Sequence, residues 1–172
     1  MKISGDVIAN KLRLNDNEIE DIVSVELPEF TNGTYEVKGS GVMGIIDMPS
    51  FSKIEAMSIT VEYRSSTENN ISLLSPTVHD FKLAFVKDVV GDDGVFAADG
   101  NKVFAQVRTK SHKTGTVSNG ENMSASAIFE VLSYKMVDGH GKEIINIDKI
   151  KYIYRINGVD YAEQTRNYIN QM

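Results

Sequence analysis

Apolar and polar side chains alternate with a period of two through most of this chain, most sharply in residues 57–64. There Met57, Ile59, Val61 and Tyr63 are set against Ser58, Thr60, Glu62 and Arg64, the pattern of a strand with one buried and one wet face. A second alternation begins upstream, Tyr35 and Val37 against Glu36 and Lys38, and loosens through Gly39, Ser40, Gly41 and Gly44. Missing side chains there permit a bulge or the close approach of another backbone. Met48-Pro49-Ser50 predicts a reversal, so residues 34–64 read as one long antiparallel hairpin with arms roughly twice the usual strand length. Such a hairpin projects beyond a small core and exposes edges that a second copy of the chain can pair. Its expected contact residues are Tyr35, Val37, Gly39, Gly41, Met43, Met57, Ile59, Val61 and Tyr63.

The remaining pattern is also β. Residues 1–18 read as an arm or weak strand ending in a polar turn, and residues 19–27 as a strand in which Val23, Val25 and Leu27 alternate with Ser24 and Glu26. Asn32-Gly33 predicts the turn into the hairpin. Residues 71–78, interrupted by Pro76, suit either a short helix or a covering loop, after which Phe81, Leu83 and Phe85 alternate with Asp80, Lys82 and Ala84. Turn signals at Gly91-Asp92-Asp93-Gly94 and Asp99-Gly100-Asn101 flank Val95-Phe96, predicting a small hairpin or loop. Val103, Ala105 and Val107 form the next strand, which fades into a basic segment at residues 110–115. In residues 125–137 the apolar positions start on one parity, Ala125 to Val131, and continue on the other, Leu132, Tyr134 and Met136, which predicts a bulge near Val131. A turn at residues 138–141 leads into a meander through Ile145, Ile147, Ile150, Tyr152, Tyr154 and Ile156. Asp160 and Glu163 then have capping-box spacing for a helix over residues 160–170, with Tyr161, Thr165 and Tyr168 on one face. About seven or eight strands, short helices and no βαβ alternation imply a mainly β domain, an antiparallel sandwich or partly open barrel over residues 1–172.

Composition narrows the functions. A chain of 172 residues without cysteine can bury a core unaided and has neither disulfides nor thiolate chemistry. Eighteen Lys and Arg against 24 Asp and Glu, a formal charge of -6, argue against holding nucleic acid. The first residues lack an apolar signal region and no stretch reaches the ~18 apolar residues of a membrane span. The sequons at Asn32, Asn70 and Asn122 then have no compartment in which to be glycosylated.

Candidate chemistry is sparse. Residues 39–44, GSGVMG, match the dinucleotide fingerprint, but Pro49 and a further strand follow where a helix would have to start, so close backbone approach is the better account. His79, His112 and His140 stand apart, and Asp88, Asp92, Asp93 and Asp99 fit no calcium-loop register. With no nucleophile elbow or acid-base pair, neither an enzyme nor a cofactor is expected.

Two blocks carry a resemblance: SVELPEFTNGTYEVKGSGVMGIIDMPSFSKIEAMSITVEYR over residues 24–64 and FEVLSYKMVDGHGKEIINIDKIKYIYRINGVD over residues 129–160, with the basic VRTKSHK between them. In these the chain resembles the major tail tube proteins of contractile-tailed bacteriophages and of phage-tail-like bacteriocins. The resemblance implies a tail tube fold and hexameric rings, stacked into a hollow tube inside a contractile sheath. It further implies a virion component made in the host cytoplasm, a tape measure protein inside during assembly, and baseplate and terminator at the ends. DNA would transit without specific binding, and no membrane is involved. The long hairpin would contribute to a barrel around the lumen, with Glu36, Lys38, Ser58, Thr60, Glu62 and Arg64 facing it. Residues 1–18 and 90–102 depart from the family pattern. A secretion-system tube protein of the same architecture and a monomeric ligand- or carbohydrate-binding β-sandwich are the alternatives.

Overall fold

A computed structural model describes residues 1–171. Its organising strand is β9 (Ala125–Asp138), which pairs along most of its length with β8 (Phe96–Lys113). The other edge of β9 is shared. Residues 125–130 pair with β6 (Ser58–Tyr63), and residues 133–137 pair with β10 (Glu143–Asp148). At the change of partner the β8 register steps from Gln106↔Ser133 to Val107↔Val131, which makes Leu132 the extra residue. That bulge, expected from the parity switch, keeps Ala125, Ala127, Phe129 and Val131 on the core side before it and Tyr134 on the core side after it.

From β10 the sheet continues through β11 (Ile153–Ile156) to β12 (Val159–Asp160). From β8 it continues through β7 (His79–Val90) to β1 (Ile3–Leu14) and β2 (Asn17–Glu18), while β6 carries β3 (Ile22–Glu26) on its far edge. These ten strands enclose one core to which Leu12, Leu14, Ile59, Phe81, Val103, Phe129 and Ile147 contribute. The sheet therefore wraps on itself as a partly open barrel. Where β3 closes over β1 and β7, Val25 and Leu27 face Val7, Leu83 and Phe85 across a cleft of about 150 Å³.

Residues 1–14 are more ordered than their pattern implied, because β1 pairs with β7 from Ile3↔Val90 to Leu14↔Phe81. The turn after it uses Asn15 and Asp16 in left-handed backbone, φ 53° and 64°. Asp80 N–H donates to Asn15 Oδ1 at 3.0 Å, which fixes the amide so that its Nδ2 donates to His79 Nδ1 at 2.8 Å. The His79 ring is 2% exposed and donates from Nε2 to Ser75 O at 3.2 Å. Residues 67–78 cover the edge of β8 as one helical turn, α1 (Glu68–Ile71), and a 3₁₀ turn (Ser72–Leu74). Thr67 and Asn70 cap α1 reciprocally, and Thr109 Oγ1 donates to Leu73 O.

Several turn expectations are corrected. The reversal at Met48-Pro49-Ser50 does not occur: β4 (Asn32–Val37) pairs with β5 (Ile46–Ile54), with Thr34↔Pro49 and Val37↔Ile46 in register. The chain turns instead through residues 38–45, where Gly39, Gly41 and Gly44 have φ of 135°, 90° and 88°. Proline is tolerated because β5 has a single neighbour, leaving one edge where no N–H is required. The hairpin is thus residues 32–54, and β6 belongs to the main sheet. Asn32-Gly33 lies inside β4, where a Cβ on Gly33 would sit 2.9 Å from Lys53 Cβ. Asp99-Gly100-Asn101 continues β8, paired with Lys87, Val86 and Phe85. The last helix, α2 (Glu163–Asn170), starts later than the capping-box spacing implied, because Asp160 ends β12 and accepts from Ala162 N–H at 3.1 Å.

Candidate assembly surfaces

The hairpin is a separate two-stranded sheet whose outer edges have no strand beside them among the described residues. Tyr35, Met43, Ile45, Ile46, Met48 and Phe51 are all exposed on it, Met43 fully. Its root is anchored. Glu55 N–H donates to Thr31 O at 2.9 Å, Lys149 Nζ donates to Glu55 O at 2.7 Å, and Phe30 and Phe51 meet Tyr134 and Tyr154 at ring separations of 5.3 and 5.7 Å. The base is held by these contacts, while at the far end Val42 N–H donates to Gly39 O at 3.2 Å within the turn itself.

Of the expected inter-subunit residues, Tyr35, Val37, Gly39, Gly41 and Met43 lie on this hairpin, as do Glu36 and Lys38, which pair with each other at 3.1 Å. Met57, Ile59, Val61 and Tyr63 do not. They are buried in the chain's own core, and both edges of β6 are occupied by β3 and β9.

Ser58, Thr60 and Glu62 stand on the opposite face of β6. Register places Ser24 and Ser126 beside Glu62, Glu26 and Ile128 beside Thr60, and Glu130 beside Ser58. Directly opposed residues share a face, so β3, β6 and β9 present one surface of hydroxyls and carboxylates. Ser24 Oγ donates to Glu62 at 3.0 Å and Lys110 pairs with Glu130 at 3.0 Å. Ser24, Glu26, Ser126 and Glu130 were missing from the sequence-based set, since alternation shows which face a residue takes on its own strand but not which strand lies beside it. Arg64 falls just past β6, where its backbone joins Asp21 and Ser124.

Burial and local partners shift several titratable groups among the described residues. Burial raises the Tyr63 hydroxyl far above the ordinary phenol value, pushes Tyr134 up to about 12 and lowers His112. Tyr63 Oη and His112 Nε2 have no hydrogen-bond partner among the described residues. Burial pushes the Asp160 carboxyl up, but Arg166 at 2.7 Å and the Ala162 N–H outweigh it and hold the group below its ordinary value. No cluster of three His, Asp or Glu suits a metal among the described residues, and none of the described helices is long and apolar enough to cross a membrane. The GSGVMG segment connects two strands and so has no helix N-terminus to offer a pyrophosphate.

A wrapped antiparallel barrel with a projecting, apolar, exposed hairpin defines a β protein with surfaces suited to assembly. The chain belongs to the phage tail tube family, whose model, described as phage tail tube protein FII, matches residues 10–169. It is 30% identical over 152 residues to the tail tube protein of Escherichia phage P2, covering 85% of each chain. In three dimensions it is similar to a chain of the sheath-tube complex of the PVC extracellular contractile injection system in its extended state. That match has a TM-score of 0.54 at 15% identity, covering 77% of this chain and 90% of the other. A chain from the sheath/tube terminator of the same system gives 0.53 at 16%, covering 77% and 95%. The protein is a tail tube structural protein and not an enzyme.

Proposed function

We propose that the chain assembles as hexameric rings that stack into the inner tube of a contractile phage tail or tailocin, and that in a phage this tube conducts the genome on ejection. The hairpin carries the reading: an apolar two-stranded sheet with free edges and an anchored root is completed by a neighbouring molecule. A heterologous contact of that kind closes when its rotation closes, and rings with unlike faces can stack without limit. The face of β3, β6 and β9 lines the lumen, where Glu26 and Glu62 repel phosphate, the hydroxyls let it slide past, and the Lys110 cation at the β8 border is neutralised by Glu130. A sheath protein lies outside, a tape measure protein occupies the lumen during assembly, and a baseplate and terminator close the ends. Negative-stain microscopy of the purified protein tests the reading. Rings or tubes are expected, and their replacement by monomers when residues 38–45 are cut to a two-residue turn. A wild-type protein that stays monomeric at high concentration overturns it.

A further inference from the structure

The family match begins at residue 10, yet the structure gives residues 3–9 a definite place. The β8–β9 register starts at Asn101↔Asp138, so residues 96–100 pair with β7 alone. With the first half of β1 on the other side of β7, three strands extend past the rest of the sheet as a tongue, about five residues or roughly 17 Å long. Its tip is firmly folded: Gly94 N–H donates to Gly91 O at 3.0 Å and Val95 N–H to Asp93 Oδ1 at 3.1 Å. Even so, Val95 is 61% and Phe96 74% exposed, with Ile3 exposed beside them and Asp92 and Asp93 in the turn, Asp92 paired with the Met1 amino group. A rigid, acidic, apolar tip is unlike a solvated loop.

The other end of β8 has the opposite character. Arg108, Lys110 and Lys113 follow one another along residues 108–113, and the covering segment beside them exposes Ile71, Leu74 and Val78. Arg108 Nη2 donates to Pro76 O at 3.2 Å, so cations and apolar side chains share one pole.

We propose that the tongue is an axial joint between copies of this chain: its tip seats on the pole formed by Leu74, Val78 and Lys113 of a molecule in the next ring. Charge complementarity selects a second copy as the occupant, since the turn that leads into β8 carries Asp93 and the far end of β8 carries Lys113. The contact is heterologous, so each added molecule presents the end that was just used, and growth is open. Exposed Val95 and Phe96 lose water on docking, and the carboxylates set the polarity of stacking. This inference rests on the tube reading.

The experiment uses the full chain, which has no cysteine of its own. In Phe96→Cys combined with Leu74→Cys, oxidation of assembled material is expected to give a ladder of cross-linked multimers that neither single variant gives. Val95→Ser with Phe96→Ser is expected to leave rings but raise the concentration for tube growth at least about tenfold. Asp93→Lys should do the same, and Lys113→Glu in the same chain should restore growth, which a merely misfolded variant would not show. Tubes of undiminished length from the serine variant, or no ladder from the cysteine pair in assembled tubes, overturn the joint. Absence of rings from the wild-type protein refutes the tube reading instead.

Discussion

Asn15 holds the turn after β1 with its side chain and its backbone together, so its replacement separates the two contributions. Asn15→Ala removes the acceptor of Asp80 N–H and the donor to His79 Nδ1, 3.0 and 2.8 Å away. It also places alanine at φ 53°. A net hydrogen bond contributes about 1 kcal/mol, and a buried polar atom left unpaired costs about 1–3 kcal/mol. Left-handed backbone adds roughly 1 kcal/mol for alanine, while asparagine tolerates it and glycine is free of it. The expected loss is about 3 kcal/mol for Asn15→Ala and about 2 kcal/mol for Asn15→Gly. Urea unfolding followed by circular dichroism measures both, at a concentration where sedimentation shows monomers, because assembly would otherwise add to the stability. A loss below about 1 kcal/mol for alanine would mean that His79 is not held by Asn15. A glycine variant no better than alanine would mean that the backbone carries no strain, and either result refutes the reasoning.

Further outcomes are expected elsewhere. Ser58→Lys with Thr60→Lys should leave tube assembly nearly intact while slowing genome passage, and normal infection kinetics from such tubes would count against the lumen assignment. Tyr63→Phe removes a buried hydroxyl that has no partner, so its stability should equal or exceed that of the parent by up to about 1 kcal/mol, and a loss in urea denaturation would reveal a bond to that oxygen. Asp160→Asn should destabilise by about 1.5 kcal/mol at neutral pH through loss of the Arg166 pair. Because the Asp160 carboxyl titrates below its ordinary value in the folded state, its contribution is present above the ordinary carboxylate range and vanishes as pH falls through the lowered value, so parent and variant should converge in strongly acidic solution. Deleting Leu132 closes the bulge and turns Tyr134 outward, so a soluble variant with the parent's melting temperature would contradict the role assigned to that residue.

Strands packed on one face were legible in the sequence because burial writes a period of two directly into residue type. The run from Met57 to Tyr63 and the parity switch at Leu132 are both of this kind. Turn placement was less legible, since glycine and proline mark several structures at once. Pro49 resembles a turn former but sits in an edge strand, and Gly33 and Gly100 serve close approach and strand continuation instead. Reading Pro49 as the reversal moved the hairpin along the chain and drew buried β6 residues into it. The carboxylates on the face of β3, β6 and β9 escaped for a different reason: Glu26 and Glu130 become neighbours of Thr60 and Ser58 only through pairings between strands distant in sequence. The tongue was hidden because Asp99-Gly100-Asn101 has the composition of a loop, while its strand conformation is imposed by β7.

The extra residue at Leu132 divides β9 into two lengths that answer to different neighbours. Upstream of it the strand pairs with β6, downstream with β10, and the extra residue takes up the offset between the two registers. Substitutions, or even an altered connection, in the β10 to β12 region can therefore remodel that wall of the barrel while the hydroxyl-and-carboxylate wall keeps its alignment. One irregular position thus lets a single strand serve two walls of the barrel.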